Sequence, residues 1–461
     1  MLSFAPPTPD AVPIWFAGAG NYDGLKSRIG GEAAAFAERC GFKPRAGTLQ
    51  LLPGEGGALA GVLFGVDSAD SPTRDPLAAG KLATALPEGV YRFANPPADA
   101  SLAALGFLLA LYRYSRFKPD NGKKPRLVAP DGVDGARTER IANAVAFGRD
   151  LVNAPANVLG PEALEQEAAK LAERCGASLS IVRGDDLVDA NFPLVHAVGR
   201  AAAEPPRIVD FTWGPTTAPK VTLVGKGVTF DTGGLDIKPA SGMELMKKDM
   251  GGAATALTLA RLVMESNLDL RLRVITPIVE NAISAPAMRP GDVIVSRKGL
   301  AVEIGNTDAE GRLILADALA LADEESPELL LDFATLTGAA RVALGPDLPP
   351  FYTDDDTLAD AIAAHARSVR DPLWRLPLWR PYDAMIEGSV GDLSNSGTGA
   401  GMAGSITAAL FLRRFVEKAK SWAHFDVYAW NPKARAHGPA GGEIQAARAL
   451  YEVLRERYPR R

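Results

Sequence analysis

Beyond Arg207 short apolar runs alternate with longer amphipathic ones, and this alternation restricts the fold more than any other feature of the chain. Candidate strands cover residues 208–213, 221–224, 270–278, 329–333 and 423–428. Candidate helices cover 253–265, 313–325, 358–370 and 404–418. Strand–helix alternation predicts an α/β sheet covered on both faces. Sites in such sheets gather beyond the strand ends. Ahead of this region, short strands, glycine turns and Ala-rich helices predict a smaller α/β domain. Residues 102–116 read as an apolar helix, with Ser101 placed to cap its start. A polar loop at 118–125 and a short strand at 126–129 follow. The domain boundary is expected just beyond, dividing 1–135 from 136–461.

Bulk properties set outer limits. At roughly 100–200 residues per domain, 461 residues make two or three domains. A hydrophobic content of 47% fills a sizeable core. A net charge of −5 argues against general affinity for nucleic acid or anionic membranes, and Lys123-Lys124 reads as a solvated loop. Two cysteines, Cys40 and Cys175, do not make a disulfide framework; both are expected to be buried thiols in a reducing compartment. The start has no basic segment followed by a long apolar run, so no signal peptide is read there. No apolar stretch reaches the length of a membrane span. These features predict a cytoplasmic protein.

The chemistry concentrates at residues 306–312, Asn-Thr-Asp-Ala-Glu-Gly-Arg. In an extended segment residues i and i+2 point to one side. The spacing of Asp308 and Glu310 is therefore expected to aim both acids at one spot. Converging anions cost free energy unless a cation neutralises them. Arg312 offers one positive charge; a divalent metal offers more. The histidines, His196, His365, His424 and His437, are scattered, and no H-E-x-x-H occurs. Carboxylates must carry any metal here. Asp231, Asp249, Asp308 and Glu310 supply up to four negative charges, which balance two divalent ions better than one.

Upstream stand Val-Gly-Lys-Gly-Val-Thr-Phe-Asp-Thr-Gly-Gly at 224–234, then Lys238, then Lys248-Asp249-Met250-Gly251-Gly252. Together with an unbroken N-T-D-A-E-G-R-L from Asn306 to Leu313, these segments resemble the leucyl aminopeptidases (cytosol aminopeptidases), a family of two-metal exopeptidases. The resemblance covers most of residues 140–426. It implies a small N-terminal α/β domain joined by a helix over 136–152 to a larger catalytic domain, whose mixed sheet is flanked by helices.

The resemblance also implies roles. Asp231 and Glu310 match residues that touch both metals. Asp308 matches a ligand of the looser site. Asp249 and Lys226 match ligands of the tighter one. A ligating lysine must be neutral, because an ammonium has no lone pair to donate. Lys238 matches a lysine that stabilises the oxyanion of the scissile carbonyl. Arg312 matches an arginine that holds bicarbonate, an anion suited to a guanidinium fork; the plainer role, a salt bridge to Asp308 or Glu310, does not exclude it. Met246, Thr335, Leu336 and Gly338 fall where the family lines its first specificity pocket, and Met and Leu there suggest an apolar side chain. The cofactors implied are two divalent ions, zinc or manganese, with bicarbonate. The assembly implied is a hexamer. Two departures bear on selectivity. Asp236 stands where a small polar residue is usual, and residues 427–432 and 438–443 match poorly.

The reaction implied is removal of an N-terminal residue from peptides with a free N-terminus, by hydroxide bridging two metals. Rival readings are a dipeptidase with a narrowed pocket, a non-peptidase two-metal hydrolase such as a phosphatase, and a DNA-binding regulator. The acidic balance weighs against the last.

Overall fold

The computed structural model describes residues 1–461 apart from Ala69, Asp120, Asn121, Lys123, Ala400 and Arg461. Part of the polar loop at 118–125, with Lys123, thus lies outside the described residues. The chain forms two compact units: Met1–Ala146 with Lys433–Ala440, and Phe147–Pro432 with Gly441–Arg461. The helix Gly135–Asn153 runs across this division.

The first unit is built on five strands, β1 (Val12–Ala17), β2 (Leu49–Pro53), β3 (Leu59–Gly65), β4 (Gly89–Phe93) and β5 (Pro125–Leu127). Their order is β2-β3-β1-β4-β5. β1 runs parallel to β3 and β4, and β2 closes one edge antiparallel to β3. Phe16 on β1 meets Phe64 and Phe93 edge-on, with centroids 6.0 and 4.8 Å apart, a geometry favoured by ring quadrupoles. The apolar helix spans Ala100–Ala110 and is buried over most of its circumference. Ser101 lies inside its first turn rather than capping it, and Asp99 precedes the helix. It ends short of the expected Arg116. Arg113 Nη1 donates to the carbonyls of Ala110 and Tyr112 at 3.1 and 2.7 Å, satisfying acceptors that a further turn would have used.

The second unit carries strands β6 (Ser178–Arg183), β7 (Arg207–Trp213), β8 (Lys220–Gly225), β9 (Gly227–Asp231), β10 (Arg271–Asn281), β11 (Leu329–Ala334), β12 (Pro350–Tyr352), β13 (Trp374–Arg375) and β14 (Trp422–Asp426). The order is β13-β12-β14-β11-β8-β10-β7-β6, with β9 pairing β10. The central strands β14, β11, β8 and β10 are parallel, while β7 and β12 join antiparallel at the flanks. This is the mixed sheet between helices that the alternation and the resemblance imply. Helix Glu310–Glu324 packs with Gly404–Arg413 on a core that includes Leu313, Ile314, Val224, Ile275, Leu330 and Phe411. Helix Gly251–Glu265 packs on β8 and β11 and against helix Ala447–Arg457. Each fully buried Leu or Ile there contributes about 1.5–3 kcal/mol.

The cysteines correct an expectation. Cys40 is exposed and Cys175 half-buried; both are free. Each follows the last residue of a helix, Gly31–Arg39 and Pro161–Arg174. Among the described residues no helix is long and apolar enough to cross a membrane.

Candidate metal centre

The acids and lysines meet beyond the ends of the parallel strands, the expected place in such a sheet. Lys226 is the single residue between β8 and β9, and Asp231 ends β9. Asp249 sits in the turn Met246–Met250 that leads into helix Gly251–Glu265. Thr335 follows β11, and Asp426 ends β14. Glu310 is the first residue of its helix, and Asp308 lies in the turn before it. The segment 308–310 is therefore not extended, as its i, i+2 spacing suggested. Asn306 Oδ1 accepts from Asp308 N at 2.8 Å, and Ala309 N donates to Asn306 O at 3.2 Å. This local turn competes successfully with extended backbone. The two acids still converge, because the turn and the helix start bring them together.

One oxygen each of Asp231, Asp308 and Glu310 lies within 4.8 Å of the others. Lys226 Nζ is 2.7 Å from Asp249 Oδ2 and 2.9 Å from Glu310 Oε1, and donates to Thr335 O at 3.0 Å. Despite those short distances, neither carboxylate oxygen receives a well-directed hydrogen bond. Lys238 Nζ is 2.8 Å from Asp231 Oδ2 and in close contact with Asp308 Oδ1. Gly311 makes room for this packing: a Cβ there would fall 2.7 Å from Lys226 Nζ. Gly233 has φ +89° and donates its N–H to Asp231 Oδ1 at 2.9 Å, a conformation that favours glycine.

Four carboxylates thus face two ammonium groups. Burial, then Asp231, pushes Glu310 up to about 8, with Asp249 adding to the rise and Lys226 opposing it. Burial and Asp231 also raise Asp308. Burial opposes the charge of Lys226, but Asp249, Glu310 and Asp231 outweigh it and hold the amine above its ordinary range. Side chains alone leave the cluster short of positive charge. Buried oxygen donors without directed hydrogen bonds, converging in an acidic pocket, fit a divalent cation.

Neighbours fix the acids, and some of these were not anticipated. Asn281, at the end of β10, donates Nδ2 to Asp231 Oδ1 at 2.8 Å and to Thr307 O at 3.1 Å. Thr335 Oγ1 donates to Asp249 Oδ1 at 2.7 Å, so this residue supports a carboxylate as well as lining the cavity. Asp236 Oδ2 accepts from Thr307 N at 2.7 Å, and its own N–H donates to Thr307 Oγ1 at 2.8 Å. Its charge is thereby used to tie the 231–238 loop to the 306–310 turn. Arg312 makes no ion pair with Asp308 or Glu310 among the described residues. Its Nη1 donates to Asn395 O at 2.7 Å, while its buried Nε has no acceptor. Burial lowers it to about 10, against Glu310 and Asp426, which leaves it charged at neutral pH.

The cavity over the cluster has a volume of about 270 Å³, and Met246, Thr335, Leu336 and Gly338 are among the residues that line it. So are Lys248, Arg341 and Tyr428, which were not read as site residues. The histidines stay outside the acid cluster. His424 is buried in β14, its Nδ1 2.5 Å from Asp332 Oδ1, and Trp422 Nε1 donates to Asp332 Oδ2 at 2.8 Å.

An acid cluster with two lysines, set in a cavity at the strand ends of an α/β sheet, is suited to holding a divalent cation. Residues 146–451 match the model of the cytosol aminopeptidase family, catalytic domain, and residues 22–130 match the N-terminal domain of the same aminopeptidases. A probable cytosol aminopeptidase of a Synechococcus species is 39% identical over 417 residues, covering 86% of this chain and 85% of that protein. The crystal structure of the cytosol aminopeptidase from Coxiella burnetii superposes with a TM-score of 0.93 at 42% identity, covering 98% of each chain. The bottromycin maturation enzyme BotP, solved in complex with Mn, superposes with a TM-score of 0.86 at 34% identity, covering 96% of this chain and 99% of that one. The chain belongs to the cytosol aminopeptidase family and is a metal-dependent aminopeptidase.

Proposed function

We propose that Asp231, Asp249, Asp308 and Glu310, with Lys226 as a neutral amine, hold two divalent ions, zinc or manganese. The observation that carries this reading is the convergence of the Asp231, Asp308 and Glu310 oxygens beside Lys226. The manganese bound to BotP supports an oxygen-rich centre of this kind. When bound, such ions supply the Lewis acidity that makes water nucleophilic at neutral pH. The chain's own residues do the rest. Asn281 and Thr335 hold Asp231 and Asp249 in orientation. Lys238, kept charged because Asp231 and Asp308 outweigh its burial, donates to the developing oxyanion of the scissile carbonyl. Arg312 would hold a planar anion such as bicarbonate, which would supply a proton carrier there; its unpartnered Nε supports this role.

The substrate is a peptide with a free N-terminus, its α-amine anchored at the centre so that the first peptide bond meets Lys238. By likeness to the family, the assembly is read as a cytoplasmic hexamer, and the net charge of −5 argues against a role on nucleic acid. The test is a panel of unblocked and N-acetylated peptides offered after zinc or manganese loading. Cleavage confined to the unblocked set is expected. Equal cleavage of both sets would overturn the reading, and turnover of phosphate esters instead would favour a different two-metal hydrolase.

A further inference from the structure

Lys248 is 4% exposed and lines the catalytic cavity. Its Nζ lies 4.9 Å from the centroid of the Tyr428 ring. Among the described residues it has no ion pair and no hydrogen-bond acceptor. Burying an ammonium in this way is unfavourable, and a cation over an aromatic face recovers only part of the cost. The nearby acids are engaged elsewhere. Asp249 turns its oxygens to Lys226 and Thr335, at 2.7 Å each. Asp426 accepts from Leu336 N, Thr337 N, Thr337 Oγ1 and Ser405 Oγ at 3.0, 3.2, 2.6 and 3.3 Å. The adjacent Lys247 shows the contrast: its Nζ donates to Asn153 O at 2.7 Å. Arg341, exposed and also lining the cavity, lies 4.7 Å from the same Tyr428 ring and has no acidic partner among the described residues. Two cations therefore meet on one tyrosine in the cavity wall, beside the apolar Met246 and Leu336.

We propose that Lys248, Arg341 and Tyr428 form a receptor for a carboxylate on the substrate's first side chain, so that the enzyme selects peptides beginning with glutamate or aspartate. Met246 and Leu336 contact the methylene stem, and the two cations take the head group. This reverses the apolar preference that Met246 and Leu336 alone suggest. It rests on the aminopeptidase reading, in which this wall faces the N-terminal residue. A substrate carboxylate has a second source, the free C-terminus of a dipeptide, and the test separates the two.

The experiment measures kcat/KM of the metal-loaded full chain on glutamyl, glutaminyl and leucyl p-nitroanilides, and on leucyl-glycine against leucyl-glycinamide. Glutamyl is expected to exceed glutaminyl, which differs only in charge, by roughly tenfold or more. In Lys248→Met and in the surface variant Arg341→Ala the glutamyl-to-leucyl ratio should fall by roughly ten- to a hundredfold. Glutaminyl equal to glutamyl in the unaltered enzyme overturns the proposal even if a variant fails to fold. So does an unchanged ratio in both variants, or a preference for leucyl-glycine over its amide without a preference for glutamyl. If no anilide or peptide is cleaved, the aminopeptidase reading has failed. Calorimetry with free glutamate and leucine then decides the pocket, tighter binding of glutamate supporting it and equal binding overturning it.

Discussion

Lys226 Nζ stands 2.9 Å from Glu310 Oε1, both side chains almost fully buried, at the point where β8 ends and the helix Glu310–Glu324 begins. The contact joins the two halves of the sequence signature, and it places the amine among the carboxylates. Replacing Glu310 with alanine removes an oxygen donor without opening the hydrophobic core. Glu310→Ala should therefore retain its circular-dichroism spectrum while losing hydrolysis of aminoacyl amides by at least ~100-fold, more than outer supports of a metal usually cost. Retained activity would count against the assignment.

Lys238 pairs with the other two acids of the cluster, Asp231 and Asp308, and is more exposed than Lys226. A donor to the oxyanion lowers the barrier without being needed to hold an ion. Lys238→Ala should lower kcat by ~10²–10³-fold, the usual effect of losing one such donor. Metal content, read by elemental analysis, should stay unchanged; loss of metal would make Lys238 a structural partner of Asp231 and Asp308 instead.

Asn281 orients Asp231 from the neighbouring strand, as the register pairing of the two residues requires. Asn281→Ala should weaken metal affinity or activity by ~10–100-fold. Activity lost this way should return in part as the metal concentration is raised, which a titration of rate against manganese would show.

Stability is tested at a different place. Asp332 and His424 are both fully buried, and Trp422 shares the same carboxylate. Removing the charge strands a buried imidazole, so Asp332→Asn should cost about 3–5 kcal/mol, read by denaturant unfolding. Burial works against protonated His424, but Asp332 overcomes it and raises the pKa. The stabilisation is then complete at low pH and is lost as pH rises through the folded-state pKa. The gap between wild type and variant should narrow in that direction; a gap that widens with pH would contradict the pairing.

Much of the acid cluster could be read in advance because its members lie in short segments with fixed spacing: Lys226 and Asp231 around one strand, Asp308 and Glu310 around one turn. The central strands and helices followed from alternation for the same local reason. Asn281 was invisible because its partner lies 50 positions away and only the β9–β10 register brings them together. The turn at 306–309 was missed because an Asn side chain captured the backbone that spacing alone made extended. In the sequence Lys248 is one more charge in a Lys-Lys-Asp run. Its burial against Tyr428 is a tertiary fact, and Tyr428 lies where the match to the family is poor. Helix ends failed likewise, as where Arg113 takes the carbonyl of Ala110.

The most direct measurement is metal stoichiometry with position: elemental analysis of the loaded protein, joined to anomalous scattering from its crystals. Two ions per chain, within coordination distance of Asp231, Asp249, Asp308 and Glu310, are expected. A loaded crystal with no anomalous peak among these acids, or with a single ion bound elsewhere, would contradict the account.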